Sequence, residues 1–221
     1  MFPISDSVKA PRFPALNILF IILTVYVFFQ EVFTPNPDAL IQTYALIPAR
    51  VNFSDISTLT PFVTAIFLHG GFLHIISNMW FLWIFGDNVE GYLGWFLYPV
   101  LYFTAGIIGN IVQYVLMPVS DIPMLGASGA IAGVLGAYYI LFPYSKIKTL
   151  VPIFFFLTIL DISAPLMLGY WFLLQLISGA ATIPFTGGTG GIAFFAHVGG
   201  FIAGMIFVSI IGRKEHSKIY G

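Results

Sequence analysis

The sequence contains no cysteine, which excludes disulfides, thiolate catalysis and Cys-ligated metals. It is also poor in charge: Asp, Glu, Lys and Arg make up 8 % of its 221 residues. A soluble domain carries roughly 25 %. The formal net charge of −1 gives no basic footprint, so no nucleic-acid partner is expected. What is abundant is apolar: 59 % hydrophobic residues and a mean hydropathy of +0.97. About 20 apolar residues cross a bilayer, and the chain carries several such runs. It reads as an integral, multi-pass membrane protein with the lipid bilayer as its solvent.

Apolar length and breaker residues place six spans at about 15–33, 62–85, 95–117, 127–143, 164–180 and 191–211. The first run follows Lys9 and Arg12, but "VFFQEVFTPNP" offers no small-x-small cleavage site, so it is read as a retained span. Residues 34–60 are mixed in polarity and rich in turn formers, and read as a long first loop. The expected division is a cytoplasmic segment 1–14, one membrane domain 15–211 and a cytoplasmic tail 212–221. Segment 149–163, "TLVPIFFFLTILDIS", is apolar but short, with Pro152 near its start and Asp161 near its end. Lys and Arg gather in cytoplasmic loops. With six spans, every Lys and Arg except Arg50 falls on the side of the N-terminus. A seventh crossing at 149–163 would export "RKEHSK". That segment is therefore expected to be interfacial or re-entrant.

Polar side chains at membrane depth are costly and raise functional hypotheses. Here they are His74 and Asn78 in span two, Asn110 and Gln113 in span three, Ser128 in span four, Gln175 in span five and His197 in span six. A lone membrane Ser more often bonds its own backbone than reacts. The surroundings of Ser128 argue otherwise. Gly129, Gly133 and Ala137 lie four apart on span four, as do Ala196, Gly200 and Gly204 on span six. Small-xxx-small faces let helix backbones approach closely. If these two faces meet, Ser128 and His197 share a depth, and an imidazole is the usual base for a serine nucleophile. His74 and Asn78, also four apart, share one face of span two at the same depth. With the Ser128 N–H they form a candidate oxyanion hole. No carboxylate falls at that depth in spans two, four or six, so the unit would be a Ser–His dyad.

Two other motif readings fail. "GASGA" at 126–130 lacks the last Gly of the soluble nucleophile elbow and follows no strand. His69, His74 and His197 have neither carboxylate partners nor an H-E-x-x-H, so no metal is expected.

The chain resembles the rhomboid intramembrane serine proteases. The resemblance rests on H-x-x-x-N at His74 and Asn78, G-x-S-G at Gly126 and Ser128–Gly129, and A-H-x-x-G at Ala196–His197 and Gly200, in family order. It implies an all-α, six-helix membrane bundle. Ser128 would be nucleophile, His197 base, and His74, Asn78 and the Ser128 amide the oxyanion hole. Residues 34–60 would be the family's first loop, and span five with loop 181–190 the substrate gate. Gly126, Gly129, Gly133, Gly200 and Gly204 are assigned to helix packing. Two departures are visible: Ala132 stands where some members stack a Tyr on the base, and 149–163 exceeds the shortest bacterial members.

The reading that follows is a serine endopeptidase without metal or organic cofactor, cutting transmembrane protein substrates in or near a helix. Its active site would face the external side of the plasma membrane, with both termini cytoplasmic. A catalytically inactive relative that binds membrane clients and a small transporter are the readings from other classes. The first would usually have lost Ser128 or His197, and the second would want more intramembrane charge.

Overall fold

The computed structural model describes residues 2–153, 156–182 and 193–211. Its helices are α1 (Ala15–Phe33), α2 (Pro37–Tyr44), α3 (Pro61–Thr64), α4 (Phe72–Leu116), α5 (Ser128–Leu141), α6 (Ala164–Thr182) and α7 (Phe194–Ile211). The strands are β1 (Phe2–Asp6), β2 (Lys146–Ile153) and β3 (Phe156–Ser163). By length and apolar composition, α1, α4, α6 and α7 suffice to cross a membrane. α4, with 45 residues, is two consecutive limbs bent at Gly94, where φ is 77° and ψ 178°. A residue with a Cβ is strained at such a positive φ, so glycine permits the bend. The limbs serve as spans two and three.

α5 completes six spans, and it is short. Its 14 residues are about 21 Å long, less than the roughly 30 Å hydrocarbon core. The chain therefore enters α5 as a loop below the membrane face. Irregular backbone is tolerated at that depth only where protein covers it, and loop one does the covering. Residues 34–60 are not featureless: they hold α2 and 3-10 turns at Pro48–Arg50 and Ile56–Thr58.

α5 is the centre of the bundle, buried from Gly129 through Tyr138. Its glycines make this possible. A Cβ on Gly200 would run into the carbonyl oxygen of Gly129, one on Gly204 into that of Gly133, and one on Gly136 into that of Phe201. The backbones of α5 and α7 thus touch along their small-residue faces. The second limb of α4 joins them: a Cβ on Gly109 would lie 2.5 Å from the Ala196 carbonyl oxygen, and one on Gly133 would overlap the Ala105 side chain. Gly129 is the loosest of the set, its hypothetical Cβ 3.5 Å from the Ala196 oxygen.

The strands are the feature an all-α expectation did not contain. Segment 149–163 forms most of an antiparallel hairpin, β2 with β3, in which Lys148 pairs with Asp161 and Ile153 with Phe156. β1 adds on the other side of β2, Phe2 opposite Leu150, with a register break between Pro3 and Ser5. The hairpin is no helical crossing, so the bundle keeps six spans. β1 docks on the first limb of α4. The Trp80 indole N–H donates to the Pro3 carbonyl at 2.7 Å, and the Phe2 ring stacks on Trp80 at 5.3 Å.

Candidate active site

Ser128 is the first residue of α5, and loop one holds the approach to it. Leu46 and Met124 exchange backbone hydrogen bonds at 3.0 and 2.7 Å, and the Gly126 N–H donates to the Ala65 carbonyl at 2.9 Å. Gly126 has φ 133°, and a Cβ there would lie 2.8 Å from Nε2 of His74 and 3.6 Å from Oγ of Ser128. This corrects its grouping with the helix-packing glycines. Gly126 lies before α5, and it serves a positive-φ turn while leaving room for the His74 ring beside Ser128.

His197 sits in the first turn of α7, whose free N–H groups need acceptors. Gln113, from the second limb of α4, supplies one: its Oε1 accepts from the Phe195 and Ala196 N–H groups at 3.0 and 3.2 Å. That bond sets the height at which α7 begins. Nε2 of His197 then lies 2.7 Å from Oγ of Ser128. The other ring nitrogen, Nδ1, lies 2.7 Å from Oε1 of Gln175 on α6. The Trp171 ring packs 5.9 Å from the imidazole at 31°, and Phe194 meets it edge-on at 6.4 Å. Ala132 is fully buried in α5, and α6 supplies the aromatic neighbour of the His197 imidazole.

His74 and Asn78 come from the first turns of α4. Asn78 Nδ2 lies 2.9 Å from Nε2 of His69, while His69 Nδ1 is 3.3 Å from the Phe67 carbonyl. With its Nδ1–H on that carbonyl, His69 accepts one Asn78 amide hydrogen and leaves the second to Asn78. Both carboxylate oxygens of Glu31, at the far end of α1, accept from the His69 backbone N–H at 3.1 Å. The His69 and His74 rings meet at 4.9 Å. His74, Asn78, Ser128, Trp171, Gln175 and His197 all line one cavity of about 260 Å³, walled by α4, α5, α6 and α7. A hydroxyl, an imidazole and amide donors face a space large enough for a peptide group. Such a set suits acyl transfer. Among the described residues, no group of three or more His, Asp or Glu is placed to hold a metal.

The family model described as the rhomboid domain matches residues 57–214. The chain belongs to the rhomboid family. Among curated relatives, YdcA of Bacillus subtilis, provisionally named a rhomboid protease, is 42 % identical over 76 residues, 34 % of this chain and 38 % of that protein. The Homo sapiens presenilin-associated rhomboid-like protein, mitochondrial, is 34 % identical over 100 residues, 44 % of this chain and 26 % of that one. Rhomboid protein 1, mitochondrial, of Saccharomyces cerevisiae is 31 % identical over 190 residues, 83 % of this chain and 50 % of its own length. The chain thus spans at most half of these three relatives. It is an integral membrane rhomboid.

Sequence reasoning noted Gln175 and Gln113 as polar residues at depth without giving either a partner, and it considered His69 only as a metal ligand. Glu31 and Trp171 were missed. A signal existed for the pair on α6: Trp171 and Gln175 are four apart and share a helix face. Of the loop 181–190 expected to gate the site, residues 183–190 lie outside the described residues, as does the tail 212–221.

Proposed function

We propose that this rhomboid is an intramembrane serine endopeptidase. The observation that carries the reading is the 2.7 Å contact between Ser128 Oγ and His197 Nε2, made inside a cavity shared with Asn78 and His74. His197 takes the hydroxyl proton as Ser128 attacks the scissile carbonyl carbon. The oxyanion that forms accepts hydrogen bonds from the Ser128 N–H and the Asn78 amide, with His74 alongside. Return of the proton from His197 to the leaving amine breaks the C–N bond and leaves an acyl-enzyme. Water, activated by the same imidazole, then releases the second product. Membrane-family membership supports a transmembrane protein as substrate. A helix shields its own peptide bonds, so residues such as Gly or Pro near the cut would ease local unwinding. Charge placement supports both termini on the cytoplasmic side and a site toward the opposite face; the plasma membrane is the compartment we propose.

The test is cleavage of a model transmembrane substrate in vesicles, together with labelling by a fluorophosphonate probe. Wild type is expected to cleave and to label at Ser128. Ser128→Ala and His197→Ala are each expected to lose at least about 1000-fold in kcat, and the double variant no more than either, because the pair acts as a unit. Wild-type turnover by Ser128→Ala would remove the nucleophile assignment. A folded wild type that neither labels nor cleaves would favour an inactive client-binding relative.

A further inference from the structure

The Ser–His contact by itself does not make a base. A neutral imidazole carries one ring proton, and only the form with that proton on Nδ1 leaves a lone pair on Nε2 for the serine hydroxyl. The ring's neighbours decide which form exists. Trp171 and Phe194 present apolar rings that do not distinguish the two nitrogens. Ser128 on α5 donates or accepts with equal ease. Among the described residues, His74 on α4 is the other titratable side chain lining the cavity, and no Asp, Glu, Lys or Arg lines it. That leaves Gln175. Its Oε1, 2.7 Å from His197 Nδ1, accepts a hydrogen bond and has none to donate.

We propose that Gln175 is a positioning residue: it holds His197 in the Nδ1–H tautomer and fixes the plane of the ring, leaving Nε2 as the base toward Ser128. It takes the place that an orienting carboxylate holds in a three-residue unit, but as a neutral acceptor in a cavity lined, among the described residues, by no Asp, Glu, Lys or Arg. The acceptor is carried on α6, which packs chiefly against α7 and leaves Leu173, Leu174, Leu176 and Ile177 exposed. The tautomer of the base therefore depends on α6 staying docked. This inference rests on the serine-protease reading above.

Histidine labelled with 15N gives a direct test in the full-length, detergent-solubilised protein, because the chain has 4 histidines and His197→Ala identifies one of them. Wild type is expected to show His197 protonated on Nδ1 and free on Nε2. A proton found on Nε2, as an inverted Gln175 amide would impose, overturns the proposal without any variant at Gln175. Kinetics give the second arm. Gln175→Leu is expected to lower kcat about 10- to 100-fold with KM within about twofold, and to shift His197 toward a mixture of tautomers. Gln175→Glu, which also accepts from Nδ1–H, is expected to recover most of the lost kcat. Retention of wild-type kcat in Gln175→Leu, or a change in KM alone, would overturn the proposal while leaving the dyad intact. Equal cleavage by wild type and Ser128→Ala would take down the dyad and the positioning role together.

Discussion

Polar side chains are gathered at both ends of the bundle, and the two groups are built differently. At the Ser128 end they face a cavity: the hydroxyl, the imidazole and the amide of Asn78 all line it. At the end nearest the sheet they face one another. The Glu90 carboxylate accepts from the Leu16 and Asn17 N–H groups at 3.1 and 2.7 Å, satisfying the start of α1. The Asn17 amide donates to the Leu82 carbonyl at 3.1 Å and accepts from the Tyr98 hydroxyl at 2.6 Å. Asp6 accepts from Tyr138 at 2.5 Å and from Asn88 at 2.8 Å. In this group Asn88 Oδ1 is a buried acceptor without a partner among the described residues. Burying a polar group costs free energy unless it is hydrogen-bonded, and apart from Asn88 Oδ1 the groups named at both ends meet that requirement. The difference is that one end leaves its hydroxyl, imidazole and amide open to a cavity. On the proposed reading, depth beside a cavity, rather than depth alone, marks function.

Apart from Ser128 and His197 themselves, the largest combined effect on rate and stability is expected from forcing apart the helices that bring those two residues together. Gly200→Leu places side-chain volume against the Gly129 carbonyl, and the helices must part. Overpacking costs about 1–3 kcal/mol, and misplacing reacting groups by about 1 Å costs roughly 100-fold in rate. Cleavage should fall below about 1 % of wild type, and thermal stability should fall with it. Gly169→Leu on α6 is the control, since a Cβ there finds its nearest neighbour, the Tyr139 ring, at 4.0 Å. Equal tolerance of both substitutions would mean that the α5–α7 contact does not set the site.

Next in size is Asn78→Ala, expected to lower kcat by roughly 10- to 1000-fold with little change in KM if its amide meets the oxyanion. The same change frees Nε2 of His69, so the melting curve must be measured alongside. A loss of stability with kcat preserved would move Asn78 to the kind of role seen at the sheet end.

How far these roles could be read from the sequence follows the same division between local and distant partners. Ser128 and His197 stand out because glycines and alanines repeat every four residues around them, and that period survives without knowledge of the fold. The span positions were legible for a similar reason, since apolar length is local. Gln175 was visible as a polar residue, but its partner lies on another helix and only packing brings them together. Lys146–Ile147–Lys148–Thr149 does alternate as a half-buried strand should. The returning strand FLTILDIS does not, because apolar residues on both of its faces stay exposed. The third strand of the sheet, Phe2–Asp6, pairs with Lys146–Ile153 from more than a hundred residues away, beyond any periodic signal.

The sheet end should respond in the opposite sense to the site end. Glu90→Ala strips the acceptor from two N–H groups at the start of α1. Leaving buried donors unsatisfied costs about 1–3 kcal/mol, so the melting temperature should fall while kcat stays within about twofold of wild type. Glu90→Gln keeps one acceptor oxygen and should be milder. A large loss of kcat in a Glu90→Ala protein that remains folded would show that the two ends are coupled.

The smallest effect is expected at Asp6, and its sign is informative. Burial pushes the Asp6 carboxyl above its ordinary range, with the hydrogen bond from Tyr138 opposing that shift. A carboxyl raised in this way favours the fold when protonated. Its contribution is complete at pH values below the ordinary Asp range and is lost as the pH rises through the raised value. Asp6→Asn removes that dependence while keeping an oxygen to accept from Tyr138. The variant should therefore match wild type or fall slightly below it near about pH 4, and should equal or exceed it near about pH 8. The measurement is the difference in melting temperature between the two proteins across that range, with cleavage at neutral pH as the control. A variant less stable than wild type by the same margin at every pH would mean that Tyr138 and Asn88 require the carboxylate charge, and the sheet end would then hold an ionised group as part of its structure. A slope in the expected direction, with cleavage unchanged, keeps Asp6 among the polar groups that serve the fold alone.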